Sequence, residues 1–325
     1  MASQSSSKIV VYAALVGNSL IAVTKFIAAG LTGSSAMLSE GVHSLVDTGN
    51  ELLLLYGMHR AGKAPDHNHP FGYGRELYFW SFVVAVLIFA LGSGVSLYEG
   101  IMHMLDPEPI ESPMINYVVL GLSILFESGS WYVALRAFRK EKGKLGYIEA
   151  IKLSKDPTTF TVLVEDTVAL LGLFLALGGV FAAQALDMPV LDGVASVMIG
   201  ILLAMTALFL ARESKNLLVG ETALPQVQQA IEAAANADPA IRTVNGVVTS
   251  QMGAHQVIAA ISAEFEDHLS TPEIEACIAR VEAKVRESNA DVVALFVKPQ
   301  TPAMWEERRR QAVKKMQDEE AKAVS

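Results

Sequence analysis

The chain has 325 residues, of which 52% are hydrophobic and 18% are charged, and its formal net charge is −9. This composition is too apolar for an ordinary soluble protein of this length, so we predict that most of the chain lies in a lipid bilayer. The acidic balance gives no support for nucleic-acid binding, and the single cysteine, Cys277, excludes an intramolecular disulfide and any site with several cysteine ligands.

Six apolar segments are long enough to cross the hydrocarbon core, which requires about 20 residues. The first of them is too long for the core of a cleavable signal peptide, and we therefore interpret it as a membrane span. The six predicted spans are residues 9–31, 36–58, 77–97, 115–138, 158–183 and 189–210.

The connections between these spans alternate in charge. Cations occur in the second connection, which holds Arg60, Lys63 and Arg75, and in the basic stretch 139–144, whereas residues 99–113 contain four acidic residues and no lysine or arginine. Basic connections remain on the cytoplasmic side of a membrane. The pattern therefore predicts that the N and C termini are both cytoplasmic.

The pattern changes to that of a small soluble domain after the last span. A capping box at Ser270-Thr271-Pro272-Glu273 starts one of its helices. The predicted elements are a helix at 225–237, strands at 244–251 and 256–264, a helix from 271 and a strand at 292–297. This order predicts a cytoplasmic ferredoxin-like α+β domain. The predicted domains are a six-helix transmembrane transport domain at 1–217, the ferredoxin-like domain at 218–300 and a charged, helix-prone tail at 301–325.

Ionisable side chains interrupt the second and fifth spans. His43 and Asp47 are four residues apart and project from one helical face, where Glu40 and Glu51 extend a polar stripe, and Asp166 lies in the fifth span. Charges inside a membrane pair with one another or bind cations, so we predict a divalent-metal site. An imidazole nitrogen with carboxylate oxygens suits Zn²⁺, with Fe²⁺, Co²⁺ and Mn²⁺ as alternatives.

Two further charges lie within predicted spans. We expect the long side chain of Lys25, in the first span, to extend to the membrane surface rather than line the ion path. Glu127 lies near the centre of the fourth span. A carboxyl group there either faces a cavity, where it could relay protons, or forms a packed hydrogen bond with a neighbouring helix.

Two stretches carry a resemblance to a known family. Residues 33–47 (GSSAMLSEGVHSLVD) and residues 69–76 (HPFGYGRE) resemble the second-helix signature and the following loop of the cation diffusion facilitator family of divalent-metal transporters. The resemblance covers residues 8–299 and includes the six spans and the C-terminal α+β domain. It implies a polytopic α-helical membrane protein with a cytoplasmic ferredoxin-like domain.

The resemblance also implies a tetrahedral transport site, with a His-x-x-x-Asp pair in each of the second and fifth spans. His43 and Asp47 match the first pair, and Asp166 matches the aspartate of the second, but Val162 stands at the histidine position. Glu165 is the tentative replacement, although a neighbour of Asp166 points about 100° away around the helix. The alternatives are water, Asn18, Asn50 and Glu51. This departure resembles the zinc transporter nine-like branch of the family.

Accessory metal sites of the family are only partly matched. Asp66 and His69 match two ligands of a second site in the loop after the second span, but Tyr73 stands where a histidine would follow. The C-terminal domain lacks the His-x-Asp of zinc-sensing members, so we interpret His255 and His268 as surface histidines and expect no metal regulation there.

We therefore predict a homodimeric secondary transporter that exports a divalent cation, with Zn²⁺ as first choice, by alternating access of the site between the second and fifth spans. Protons and metal compete for the same His and Asp groups, so exchange with protons is expected. The expected partners are the lipid bilayer, divalent metal ions, protons and a second copy of the chain. No catalytic residue, cofactor or nucleic-acid partner is predicted, and the compact chain indicates a bacterial inner membrane.

Two alternatives from other classes stay open. An intramembrane metal-dependent hydrolase could use His43 and Asp47, although the predicted spans contain no His-Glu-x-x-His motif. A transport-deficient membrane metal sensor or scaffold would be consistent with the valine at Val162.

Overall fold

A computed structural model describes the backbone of residues 2–32, 35–107 and 113–324, and the side chains of residues 7–27, 30, 44–107, 114–315 and 317. The chain divides into two compact units, Met1–Val219 and Gly220–Ser325. The side chain of His43, a predicted metal ligand, therefore lies outside the described part of the chain, although its backbone belongs to a helix.

The regular elements described in the first unit are all helices. Its elements are α1 (Ala2–Thr32), α2 (Ser35–Ala61), α3 (Glu76–Leu87), a π-helical turn (Ile88–Ser93), α4 (Gly94–Leu105), α5 (Pro113–Lys142), α6 (Tyr147–Leu153), α7 (Pro157–Ala185) and α8 (Val190–Val219). The π-helical turn joins α3 and α4 into one long rod.

Five stretches of the described chain are long and apolar enough to cross a membrane. They are Ser7–Ile27, Glu76–Leu105, Met114–Lys142, Pro157–Ala185 and Val190–Val219. The chain is thus an integral membrane protein. The predicted second span coincides with α2, whose first side chains are outside the described part, so the count of six stays a prediction.

Two features of the helical unit were not predicted from the sequence. The third span continues to Leu105 through the π-helical turn. Such a turn contains one extra residue, which does not change the spacing of apolar residues enough to be recognised in the sequence. The short helix α6 lies in a stretch interpreted as a connection, and its Ala150 and Ile151 are buried. Local packing, rather than amphipathic length, accounts for this helix.

The ends of the helical unit differ in charge. One end, named the basic end below, holds the start of α1, the α2–α3 connection after Arg60, the connection between α5 and α7 after Lys140, and the end of α8. The other end, named the acidic end, holds the α4–α5 connection with Asp106 and the α7–α8 connection with Asp187. This is the alternation that the sequence predicts.

Glycines bring α4 and α8 into close contact. A Cβ atom at Gly100 would lie 2.7 Å from the backbone nitrogen of Val197, and one at Gly193 would lie 2.9 Å from the carbonyl oxygen of Gly100. Side chains at these positions would force the helices apart. The two helices therefore pack through backbone contacts, as small residues allow between membrane helices.

The second unit is a small mixed domain. Its elements are α9 (Pro225–Asn236), β1 (Ile241–Gly253), β2 (Gln256–Phe265), α10 (Thr271–Ser288), β3 (Val292–Pro299) and α11 (Pro302–Val324). The order of helices and strands is the predicted one. The described sheet has three strands in the order β1-β2-β3, with β1 antiparallel and β3 parallel to β2, so the ferredoxin-like assignment stays a prediction.

The core of this unit lies where α9 and α10 pack on the sheet. Ile231 of α9, Ile261 of β2 and Val281 of α10 are fully or almost fully buried in it. The predicted capping box is confirmed, because the backbone N–H of Ser270 donates to Glu273 Oε2 at 2.7 Å. The tail forms α11, whose Trp305 lies against Gly246 of β1.

An ion pair joins the end of α9 to α10. Arg280 Nε and Nη2 donate to the two carboxylate oxygens of Asp238, each at 2.9 Å, and only 9% of the Asp238 side chain is exposed. The Arg280 guanidinium lowers the pKa of Asp238 from 3.8 to about 2. Because folding lowers this pKa, the stabilisation is present above about pH 4 and is lost as the pH falls through about 2.

We therefore expect Arg280→Met to destabilise the second unit at pH 7 and so to speed amide exchange in α9 and α10, with the difference from wild type disappearing toward pH 2. Hydrogen exchange of the α9 and α10 amides in the purified full chain measures this. Arg286→Met is the matched control, since Arg286 pairs with Glu282 on the exposed side of the same helix. A loss that is the same for both variants, or independent of pH, would contradict the assignment.

Candidate metal centre

Polar side chains of the helical unit line a cavity of about 260 Å³. The charged or amide-bearing lining residues at mid-height are Asn18, Lys25, Asp47, Asn50, Glu127, Glu165 and Asp166. From there the lining continues to the acidic end at His103, Asn116 and Asp192. None of the described lining residues comes from the helical turns at the basic end, so the cavity extends toward one end only.

Tight packing closes the basic end. Residues 157–163, the first two turns of α7, are all buried. Ser7 of α1 donates to Asp156 Oδ2 at 2.6 Å, and Thr159 of α7 donates to the Ser7 hydroxyl at 3.2 Å. The start of α1 and the start of α7 are thereby joined below the cavity.

Two hydrogen bonds connect the buried polar groups of α1 and α2. Asn18 Nδ2 donates to Glu51 Oε1 at 2.7 Å, and Lys25 Nζ donates to Ser44 Oγ at 3.0 Å. The expectation that Lys25 extends to the membrane surface is wrong, because this residue is 4% exposed and lines the cavity. The ammonium group instead lies near the carboxylates.

Glu165 and Asp166 of α7 are held by different neighbouring helices. Asn50 Nδ2 of α2 donates to Glu165 Oε1 at 3.2 Å, and Ser130 Oγ of α5 donates to Asp166 Oδ2 at 2.7 Å. The cavity lies between α2 and α5, so two side chains about 100° apart on one helix can both line it. The angular separation expected from sequence therefore does not exclude Glu165.

Some oxygen atoms around the cavity have no hydrogen-bond donor within the described part of the chain. In the cavity lining they are Glu165 Oε2 and Asn50 Oδ1, both buried. An unsatisfied buried carboxylate oxygen costs free energy unless a cation or a proton reaches it. These atoms are therefore available for a cation.

The structure gathers three of the four predicted ligands around one cavity: Asp47, Glu165 and Asp166 all line it. The fourth, His43, belongs to α2, but its side chain is outside the described part. Within the side chains that are described, no three His, Cys, Asp or Glu groups are close enough together to bind a single metal ion. The described carboxylates surround the cavity and do not converge on one point.

Val162, at the usual histidine position, is 1% exposed in the closed part of α7 and is not among the described lining residues. The proposed alternatives have defined roles: Asn50 orients Glu165 and Asn18 binds Glu51. Sequence reasoning missed Ser130, the donor to Asp166. A serine in an apolar span ordinarily indicates helix packing, so no signal pointed to it.

Asp66 and His69 lie in the connection after α2, where the oxygens of Asp66 already accept hydrogen bonds from the chain. The two oxygens of Asp66 accept hydrogen bonds from the backbone N–H groups of Asn68 and His69 and from the hydroxyl group of Tyr73. The Tyr73 hydroxyl lowers the pKa of Asp66. Imidazole Nδ1 of His69 is 3.4 Å from Asp66 Oδ1. A metal ion at this pair would have to replace existing hydrogen bonds.

Comparison with known proteins agrees with the geometry. Residues 11–219 match the family described as Cation efflux transmembrane domain. The mitochondrial proton-coupled zinc antiporters of Xenopus laevis and Homo sapiens are each 34% identical over 265 residues, which is 81% of this chain and 47% and 46% of theirs. The chain thus spans a little under half the length of these relatives. The cation-efflux pump FieF of Cronobacter sakazakii is 26% identical over 256 residues, 77% of this chain and 78% of its own.

Ser130→Ala removes the hydrogen bond that orients Asp166 and leaves the carboxylate itself intact. We expect the affinity for Zn²⁺ to fall by about 10–100-fold, as for other groups that orient metal ligands. Titration calorimetry of the purified protein measures it. Thr167→Val is the matched control, because it removes the neighbouring α5–α7 bond, in which Trp131 Nε1 donates to Thr167 Oγ1 at 2.9 Å, and this bond involves no carboxylate. Equal affinities in all three proteins would contradict a role for Asp166 in binding.

Proposed function

Because the chain belongs to the cation efflux family, also called the cation diffusion facilitator family, we propose that it exports a divalent metal ion from the cytoplasm as a secondary transporter. The predicted resemblance to this family and to its zinc transporter nine-like branch is confirmed by the matched residues and by the mitochondrial relatives. The family consists of transporters, which also confirms the prediction that the chain is not an enzyme.

The observation that carries the proposal is the arrangement of Asp47, Glu165 and Asp166 around one cavity in the middle of a membrane domain. We assign the substrate site to these residues together with His43, and the three carboxylates must move closer together than they are here to bind a single ion. Glu165 replaces the histidine that Val162 displaces, because Asn50 directs it to the cavity and its second oxygen has no donor among the described groups.

Zn²⁺ is the proposed ion and protons are the proposed counter-ions. One imidazole nitrogen with three carboxylates suits a borderline cation. The mitochondrial relatives carry the name of proton-coupled zinc antiporters, which supports the same ion and the same coupling. Carboxylates and imidazole bind metal only when deprotonated, so each metal ion that binds must displace protons.

We place the basic end and both termini in the cytoplasm, with α2 as the second of six spans. In this orientation the cavity extends to the outer face and the packed start of α7 closes the cytoplasmic face. The arrangement corresponds to the outward-open state of an alternating-access cycle. Homodimerisation and a bacterial inner membrane remain part of the proposal. FieF comes from a bacterium, whereas the 34% identical antiporters are mitochondrial.

The test is metal uptake into proteoliposomes under an imposed pH gradient, with Zn²⁺, Fe²⁺, Co²⁺ and Mn²⁺ compared. We expect Asp47→Asn, Glu165→Gln and Asp166→Asn each to reduce Zn²⁺ flux by roughly 100-fold or more, since losing one member of a buried charge pair costs about 3–5 kcal/mol. Asp187→Asn is the control, because this exposed residue lies in the α7–α8 connection and already has the positive φ that asparagine adopts readily.

Flux that is unchanged in all three site variants would contradict the assignment of the site. Zn²⁺ binding without flux for any ion would contradict transport and favour the second candidate, a membrane metal sensor or scaffold. A second, weaker metal site at Asp66 and His69 stays a prediction. It is tested by comparing the number of Zn²⁺ ions bound per chain in His69→Gln and in wild type.

A further inference from the structure

Glu127 of α5 is a buried carboxylate that the proposed substrate site does not use. It is 4% exposed and lines the cavity. No donor in the described part of the chain hydrogen-bonds to it, in contrast to Glu165 and Asp166. Packing alone does not explain such a group, because an ionisable side chain inside a membrane is costly without a partner.

The position of Glu127 along the cavity follows from the packing of α1 and α5. A Cβ atom on Gly17 of α1 would lie 3.6 Å from Ser130 Cβ of α5, and Ser130 is the donor to Asp166. Glu127 precedes Ser130 by three residues, which moves it about 4.5 Å along the helix axis toward the acidic end. The carboxylate of Glu127 therefore lies between the substrate site and the mouth of the cavity.

The charges around Glu127 come from three other helices. Asp166 and Glu165 of α7 and Asp47 of α2 are the nearby anions, and Lys25 of α1 is the nearby cation. Lys25 is itself 4% exposed. A metal ion bound to Glu127 would thus remain within the field of the three site carboxylates and would be repelled by the nearby Lys25 ammonium.

We propose that Glu127 is a second cation ligand, which receives the metal ion as it leaves the substrate site for the acidic end. The inference rests on the proposed function. An ion that leaves the buried site can bind Glu127 before it reaches the open part of the cavity. Repulsion by the Lys25 ammonium keeps the ion from remaining at Glu127. The second site is therefore weak, and it acts on release rather than on capture of the ion.

The test compares Glu127→Gln with wild type in Zn²⁺ flux and in equilibrium binding. Removing the charge at nearly constant size is expected to lower maximal flux by about tenfold, because ion release becomes the slow step, while half-saturation and the affinity of the first Zn²⁺ remain within about threefold of wild type. Glu127→Asp is expected to restore most of the flux. Glu141→Gln, at the basic end of the same helix and outside the described cavity lining, is the control.

A binding titration at high Zn²⁺ concentration tests the second site without relying on transport. The titration uses a His69→Gln background, which removes the predicted loop site. In this background the chain with Glu127 is expected to bind a second, weaker ion that Glu127→Gln does not bind, and Lys25→Met is expected to strengthen binding of this ion only when Glu127 is present. Normal flux in Glu127→Gln, a parallel loss of flux and first-ion affinity, or a single bound ion in the His69→Gln chain would each overturn the inference. Second-ion binding without wild-type flux would instead contradict the proposed function.

Discussion

Burial of several negative charges in a membrane domain is the constraint on which the rest of the structure depends. The carboxylates of Asp47, Glu127, Glu165 and Asp166 line one cavity at mid-height, and Lys25 is the one lysine or arginine in its described lining. Removing each carboxylate from water costs several kcal/mol even after relaxation. The helical unit can keep this arrangement only if cations or protons neutralise part of the charge. A feature that makes a poor apolar core therefore makes a good cation site.

No arginine is among the described donors to the carboxylates around the cavity, whereas elsewhere both arginine and neutral donors hold carboxylates. Around the cavity the described donors to carboxylates are the amide groups of Asn18 and Asn50 and the hydroxyl group of Ser130. Away from it, arginine binds carboxylates directly, as Arg280 does with Asp238 and as Arg60 does with Glu76 at 2.6 Å. An arginine leaves little negative charge for another cation, whereas a neutral donor fixes one oxygen and leaves the charge available. The absence of arginine among the described donors leaves the charge of the cavity carboxylates available for a cation or for protons.

Much of this arrangement could be predicted from the sequence. Helical spacing in α2 and an acid inside an apolar span were enough to predict that Asp47 and Asp166 belong to one polar site. Charged residues are rare in such segments, so their presence is informative. The order of elements in the second unit followed from its hydrophobic periods and its capping box. Small polar residues carry no such contrast, so nothing distinguished Ser130 from a packing serine.

Other features depend on which helices become neighbours, and a linear sequence does not contain that information. Lys25 was expected at the membrane surface because its distance from the end of the span allowed it, yet Ser44 of α2 lies within hydrogen-bond distance. Glu165 was doubtful because it is next to Asp166, but α2 and α5 lie on the two sides of α7 that these residues face. The π-helical turn is a further case, since its extra residue is visible only in the backbone.

The packing of the helices also restricts how the cavity could change during transport. α4 and α8 meet through the backbone contacts of Gly100 and Gly193, so these two helices can separate only by losing their closest packing. Hydrogen bonds between α1 and α2, between α2 and α7, and between α5 and α7 join the other four long helices. The cavity is lined by both groups, and the π-helical turn lies in its wall at Ile88 and Gly92. Gly179 of α7 also packs closely on Ala195 of α8, so closing the cavity requires helices of both groups to shift along existing contacts. The mutual repulsion of the cavity carboxylates opposes that motion until a cation or protons neutralise them.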